Sequence, residues 1–158
     1  MPIKTFRGQL QGTDAGTSVE INLKTNKGDV GYRIKKLQLI QQAPGALDCE
    51  GLVKVWSGKP TTTEIANKLI DFEDNTILAV GFYSGAASAH IYPEDLTVIF
   101  ENHIFNQNIY LSYIDVRTVN DAMNYYIELE QVKLNNNEST MATLQSIRSR
   151  YETVAGPT

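Results

Sequence analysis

The chain has 158 residues, 42% of them hydrophobic, and its 14 basic and 18 acidic side chains give a net charge of −4. One domain of this size buries about 70% of the surface its unfolded chain exposes, so a core can form without metal or disulfide. The acidic balance excludes a global basic field for gripping nucleic acid, the single cysteine excludes an internal disulfide, and no apolar run reaches the ~18 residues of a membrane span.

Ile3 to Leu10 is the first expected strand, and Gly12 to Gly16, with Asp14, has turn composition. Val19, Ile21 and Leu23 alternate with Glu20, Asn22 and Lys24, the period of a half-buried strand. Asn26-Lys27-Gly28-Asp29 has the composition of a tight turn, so the second and third strands are expected to form a hairpin. In the third strand Val30, Tyr32 and Ile34 share one parity, whereas Leu37 and Leu39 share the other. Keeping one face buried through such a shift requires an extra residue or a bend, which predicts a β-bulge or a change of sheet near Lys35-Lys36.

Ala43-Pro44-Gly45-Ala46 ends that strand, and Gly51 to Ser57 forms the next, with Val53 and Val55 on one face and Trp56 on the other. Lys59 to Asp74 reads as a long loop, with a short helical turn and an irregular path both open over Thr63 to Leu69. Asn75 to Tyr83 is apolar on both faces, as an interior strand covered on both sides would be. Gly85 to Ala89 is a small-residue loop and Pro93-Glu94-Asp95 a turn. Leu96 to Glu101, Asn108 to Val116 and Ala122 to Leu134 complete the strands. In the last of these Tyr125, Ile127 and Leu129 alternate with Asn124, Tyr126, Glu128 and Glu130, giving one apolar and one wet face.

The period then changes. Met141, Leu144, Ile147 and Tyr151 recur at spacings of three, three and four, which places them along one helical face. Asn137 or Ser139 can cap the start, and Arg148 and Arg150 suit the negative end of the dipole. A helix this short needs its own sheet or another subunit to dock on. The elements together predict an all-β fold: an antiparallel β-sandwich, jelly-roll-like, with a short C-terminal α-helix. Residues 1–136 would be the sandwich domain, and 137–158 the helix and tail of the same single domain.

Chemistry-bearing patterns are weak by comparison. His90 and His103 are thirteen apart and belong to no zinc motif, so no metal is expected. Asp71, Glu73 and Asp74 offer oxygen ligands, but without the EF-hand loop and its glycine they read as a polar turn. Cys49, between Asp48 and Glu50, is a poor thiolate. Glu128 and Glu130 share a strand face at roughly 7 Å, a spacing inverting glycosidases use, yet alternating glutamates also serve as plain solvated surface. No serine-hydrolase elbow or phosphate loop is present, so no catalytic residue and no cofactor are expected. Trp56 and Tyr126 remain as expected contact residues, since exposed aromatics stack on sugars or anchor interfaces.

Several segments resemble small virion proteins of marine tailed bacteriophages. They are Ile3-Lys4-Thr5-Phe6-Arg7-Gly8, Gly31-Tyr32-Arg33-Ile34, Asp71-Phe72, and Asp74-Asn75-Thr76-Ile77-Leu78-Ala79. Ile104-Phe105-Asn106-Gln107-Asn108-Ile109-Tyr110 and Asn124-Tyr125-Tyr126-Ile127-Glu128-Leu129-Glu130 continue the series in order. The resemblance carries no known active residues. It implies a non-enzymatic structural component of a virion, made in the bacterial host cytoplasm, whose partners are itself as homo-oligomer and other virion proteins. A capsid-associated role, as decoration or vertex protein, is the first expectation, with a tail or tail-fibre component as alternative. Under either role Met141, Leu144, Ile147 and Tyr151 would contact a neighbour. The aromatics keep a carbohydrate-binding β-sandwich module open as a further alternative, with a host glycan as partner; neither nucleic acid nor membrane is expected. The start, Met1 to Arg7, lacks the apolar segment of a signal peptide, in keeping with cytosolic synthesis.

Overall fold

The computed structural model describes residues 2–23, 29–44, 48–85, 94–100, 103–135, 137–138 and 140–144. The alternating segments become strands β1 (Ile3–Leu10), β2 (Thr17–Ile21), β3 (Val30–Gln41), β4 (Cys49–Trp56), β5 (Ile77–Gly85), β6 (Glu94–Ile99), β7 (Ile109–Asp115) and β8 (Met123–Lys133). They form a three-stranded sheet of order β1-β8-β3 and a five-stranded sheet of order β2-β7-β4-β5-β6. The ladders are all antiparallel.

The phase change in β3 is a bulge. Ile34 pairs with Leu129 and Lys36 with Glu128, so Lys35 is the extra residue, and β3 stays in one sheet throughout. The insertion lets Tyr32, Ile34, Leu37 and Leu39 all remain buried despite their mixed parity. The expected hairpin of the second and third strands does not form: β2 pairs with β7 in one sheet and β3 with β8 in the other. A turn signal specifies a reversal of direction, whereas pairing is decided by which apolar faces meet. Residues 26–28 of that turn lie outside the described residues, as do 45–46, 86–89 and Pro93 of the later loop expectations, and His90.

Within the Lys59 to Asp74 loop, one helical turn, α1 (Thr62–Ala66), is present. Thr61 caps it, its hydroxyl accepting from Glu64 N while the Glu64 carboxylate accepts from Thr61 N. A C-terminal helix is seen at 137–138 and 140–144. Its cap is Asn135, rather than the expected Asn137: Asn135 Oδ1 accepts from Glu138 N at 2.8 Å, and the Glu138 carboxylate accepts in return from Asn135 Nδ2 at 2.8 Å. Ser139 lies outside the described residues.

Apolar side chains of both sheets share one cluster, with Leu10, Ile34, Leu39, Ile127 and Leu129 from the first and Val53, Val55, Leu111 and Tyr113 from the second. Gly81 on β5 marks how closely the sheets approach, since a β-carbon there would lie 2.8 Å from Leu39 Cδ1. The opposite face of the five-stranded sheet carries a second cluster of Leu52, Trp56, Ile77, Val80 and Ile114.

Candidate functional site

The outward face of β1-β8-β3 collects side chains from three strands into rows. Register places Gln9–Asn124–Ile40, Arg7–Tyr126–Gln38 and Thr5–Glu128–Lys36 side by side, with Glu130 next to Ile3 and Arg33 beyond. Tyr126 sits at the middle of this face, half-buried, and its hydroxyl donates to Glu128 Oε1 at 2.8 Å. That hydrogen bond pushes the phenol above its ordinary range. Gln11 Nε2 donates to Gln9 Oε1 at 3.3 Å and Gln9 Nε2 to Asn124 Oδ1 at 3.2 Å, a short amide chain along the same face.

Arg33 grips Glu130 through Nη2 at 3.0 Å and Nε at 3.3 Å, with Lys35 Nζ at 3.7 Å. The guanidinium holds the Glu130 carboxyl below the usual carboxylate range. Glu128 and Glu130 therefore have separate partners, one a phenol and the other two cations. An open depression of about 570 Å³ runs over this face between Arg7, Gln9, Gln38, Ile40, Asn124 and Tyr126. On the inner side the Tyr125 ring lies across Gly8, where a β-carbon would stand 2.8 Å from the phenol oxygen. An aromatic laid over a strand glycine fills the space that the glycine leaves.

Trp56 is not on any surface. Its parity is as expected, opposite Val53 and Val55, but that second face is covered and Trp56 is only 2% exposed. Its indole N–H donates to Ser112 Oγ at 2.8 Å. The cover is segment 67–72, fastened by Lys54, whose ammonium donates to Leu69 O at 2.6 Å and Asn67 O at 3.3 Å. Burial pulls the Lys54 pKa down, and the same ammonium sits 5.7 Å from the indole centroid. Trp56 is thus a core residue whose polar atom is satisfied internally.

The cover is incomplete. Leu96 and Val98, two apart on β6, share the outer face beside Phe82 and Val80, and both are exposed. Phe100 follows them and meets Phe72 edge-on, with centroids 5.4 Å apart. Leu69, Ile70 and Phe72 of the covering segment are exposed as well. The Phe72–Phe100 contact joins the two sets, so the outer side of the five-stranded sheet exposes apolar surface of the kind that marks interaction sites.

The C-terminal helix touches its own body through its small side. Ala142 is buried, and Thr143 Oγ1 accepts from Asn106 Nδ2 at 2.8 Å. Met141 and Leu144, at 69% and 58% exposure, face away from that contact. Ile147 and Tyr151 lie outside the described residues. Met141 and Leu144 are turned outward because the docking side uses Ala142 and a hydrogen bond rather than large apolar groups.

Other groups serve the structure. Asp74 Oδ1 accepts from Thr76 N and Asp71 Oδ1 from Glu73 N, both at 2.9 Å, so these carboxylates build the turn before β5. Among the described residues no three His, Cys, Asp or Glu side chains converge as a metal site, and no helix is long and apolar enough to cross a membrane. Cys49 is fully buried, with its sulfur 3.6 Å from Tyr113 Oη; that hydroxyl donates to Asp121 O at 2.6 Å, leaving the thiol as donor. Burial pushes the Cys49 thiol from 9.0 up to about 12.

Two results are expected of Cys49. A disulfide reagent at pH 8 should leave it unmodified in native protein and titrate it fully in urea; rapid labelling of native protein would contradict the burial. Stability should also fall as pH rises above 9.0, because the unfolded thiol ionises there while the folded one keeps its proton to about 12.

Comparison of the chain with protein-family models, curated proteins and solved structures finds no match. The side chains that sequence reasoning missed are Arg7, Gln9, Gln38 and Ile40 on the polar face, and Leu69, Ile70, Phe72, Leu96 and Val98 on the patch. Leu96 and Val98 do share a parity in the sequence. Assigning Arg7, Gln9, Gln38 and Ile40 needed the knowledge that β1 and β3 flank β8, and Leu69, Ile70 and Phe72 lie in a segment with no strand or helix period.

Proposed function

We propose that this chain is a virion structural protein of a tailed bacteriophage, acting by oligomeric assembly rather than catalysis, as a capsid decoration or vertex protein. The observation that carries the reading is the apolar patch of Leu69, Ile70, Phe72, Leu96 and Val98, which a second copy of the chain would cover. The outward Met141 and Leu144 offer a second contact to a neighbouring virion protein. A tail component would use the same contacts.

The strand orders support the finer fold reading, a jelly-roll sandwich. A long hairpin rolled up gives nested pairs, and β1–β8, β2–β7 and β4–β5 are such pairs. The remaining nested pair, β3 and β6, touches through side chains: Thr97 Oγ1 donates to Leu37 O at 3.1 Å, and Leu39 N donates to Asp95 Oδ2 at 3.1 Å. Jelly rolls recur in viral capsid and lectin domains, which supports assembly and glycan readings alike.

Sedimentation velocity tests assembly directly. Native protein should form a concentration-dependent oligomer, and Leu96→Glu should weaken self-association at least about tenfold, since a carboxylate would be desolvated in the contact. A native protein that stays monomeric at the highest concentration reached would defeat the reading. So would an oligomer indifferent to both Leu96→Glu and Phe72→Asp.

A further inference from the structure

We propose that the outer face of β1-β8-β3 is a binding site for a neutral oligosaccharide, with the Tyr126 ring as platform for one sugar ring. The inference rests on the geometry of this face and does not depend on the assembly reading.

Its size and composition suit that ligand. The depression of about 570 Å³ is open, so a chain can lie across the strands rather than enter a closed cavity. Its volume falls in the range of about 300–1,000 Å³ typical of small-ligand sites. Around Tyr126 stand three amides, Gln9, Gln38 and Asn124, and the guanidinium of Arg7. A side-chain amide both donates and accepts, as a sugar hydroxyl does, whereas the phenol ring and Ile40 supply apolar surface for the C–H faces of a pyranose. The side chains of Gln38 and Arg7 make no hydrogen bond or ion pair with another described residue, so both keep their donors for a ligand.

The charges argue against an anionic polymer. Of the cations near the depression, Arg33 and Lys35 are engaged by Glu130. Glu128, which holds the Tyr126 hydroxyl, stands on β8 between the other two cations, with Lys36 directly opposite it on β3 and Arg7 one row away on β1. The face as a whole carries four cations against two carboxylates, yet Arg7 alone of the cations lines the depression, which therefore lacks the converging cluster that phosphate or sulfate recognition uses. A purely apolar ligand would strip the amides of water without replacing their hydrogen bonds.

The pairing also makes the platform firm. β8 is flanked by ladder partners on both sides, so Tyr126 stands on the middle strand of its sheet. Its hydrogen bond to Glu128 fixes the far end of the ring. A ring held in place loses little freedom when a sugar stacks on it.

A glycan array followed by calorimetry on the strongest neutral hit tests the site. Native protein should bind at least one neutral glycan. Tyr126→Ala and Arg7→Ala should each weaken that binding, the first by tenfold or more. Tyr126→Phe, which keeps the ring and loses only the Glu128 hydrogen bond, should stay within about threefold of native protein. Thermal melts establish that each variant is folded; Arg7 is exposed on β1, so its variant remains informative if Tyr126→Ala unfolds. An array silent for neutral glycans would overturn the proposal, as would binding restricted to sulfated or uronic glycans and abolished by salt. Binding unchanged in both alanine variants would place the sugar elsewhere and overturn it equally.

Discussion

Trp56→Ala is expected to lower the unfolding free energy by about 3–5 kcal/mol, the usual cost of emptying a buried aromatic site. For a domain of this size that corresponds to a fall in melting temperature on the order of 10 °C. Three losses combine in the variant. The indole leaves a void beside Leu52, Ile77 and Ile114, Ser112 Oγ loses its donor at 2.8 Å, and the Lys54 ammonium loses the ring 5.7 Å away. Trp56→Phe keeps much of the volume and should cost about 1–2 kcal/mol, mostly through the unsatisfied hydroxyl. Urea unfolding measures both. A cost under about 1 kcal/mol for the alanine variant would contradict the burial of Trp56 and reopen its role as a surface contact.

Single-residue deletions in β3 should have sharply unequal effects. Removing Lys35 takes out the residue that the ladder does not pair, so Ile34 and Leu37 become two apart and still face the core. The loss is chiefly an exposed ion pair with Glu130, for which about 1 kcal/mol is a generous figure. Removing Gln38 instead shifts Leu39 to the solvent face and brings Ile40 inward out of register. Leu39 alone, 1% exposed, represents about 3–5 kcal/mol of core burial, and Gln41 is displaced with it. Urea titrations of the two deletions should therefore differ by several kcal/mol in midpoint stability. Equal destabilisation would mean that the bulge, not the alternation, holds the register.

The strands were legible wherever one face was wet. The first strand was expected at its observed bounds, Ile3–Leu10, and the parity break in β3 located the bulge to within a residue. These features are local, written in the alternation itself. Partner choice is not local. The composition of Asn26 to Asp29 suggested that neighbouring strands pair, yet β2 and β3 lie in different sheets because each follows its own buried face.

The surface was harder to read for the same reason. Trp56 was placed on the correct side of β4, but nothing in its neighbours reveals that Lys54 ties Asn67 and Leu69 over that side. The helical stripe was visible through Met141 and Leu144, while its outward direction is decided by Ala142 and by Asn106, more than thirty residues earlier. Tyr126 stood out because its parity joined it to Glu128 and Glu130. Its neighbours Arg7 and Gln38 become visible only once the register with β1 and β3 is known.

The position of β8 has a consequence for synthesis. Both β1 and β3 find their ladder partner in this last strand, with Ile3 opposite Glu130 and Arg33 opposite the same residue. A nascent chain emerging from the ribosome carries two finished strands whose ladders must wait for residues 123–133, although Tyr32 of β3 already meets the backbone of Phe105. During that wait their hydrogen-bonding edges are open to other chains, and the distance along the sequence makes closure slow. The order of translation therefore holds back the Tyr126 face: it comes into being only when β8 slots between the two strands that precede it.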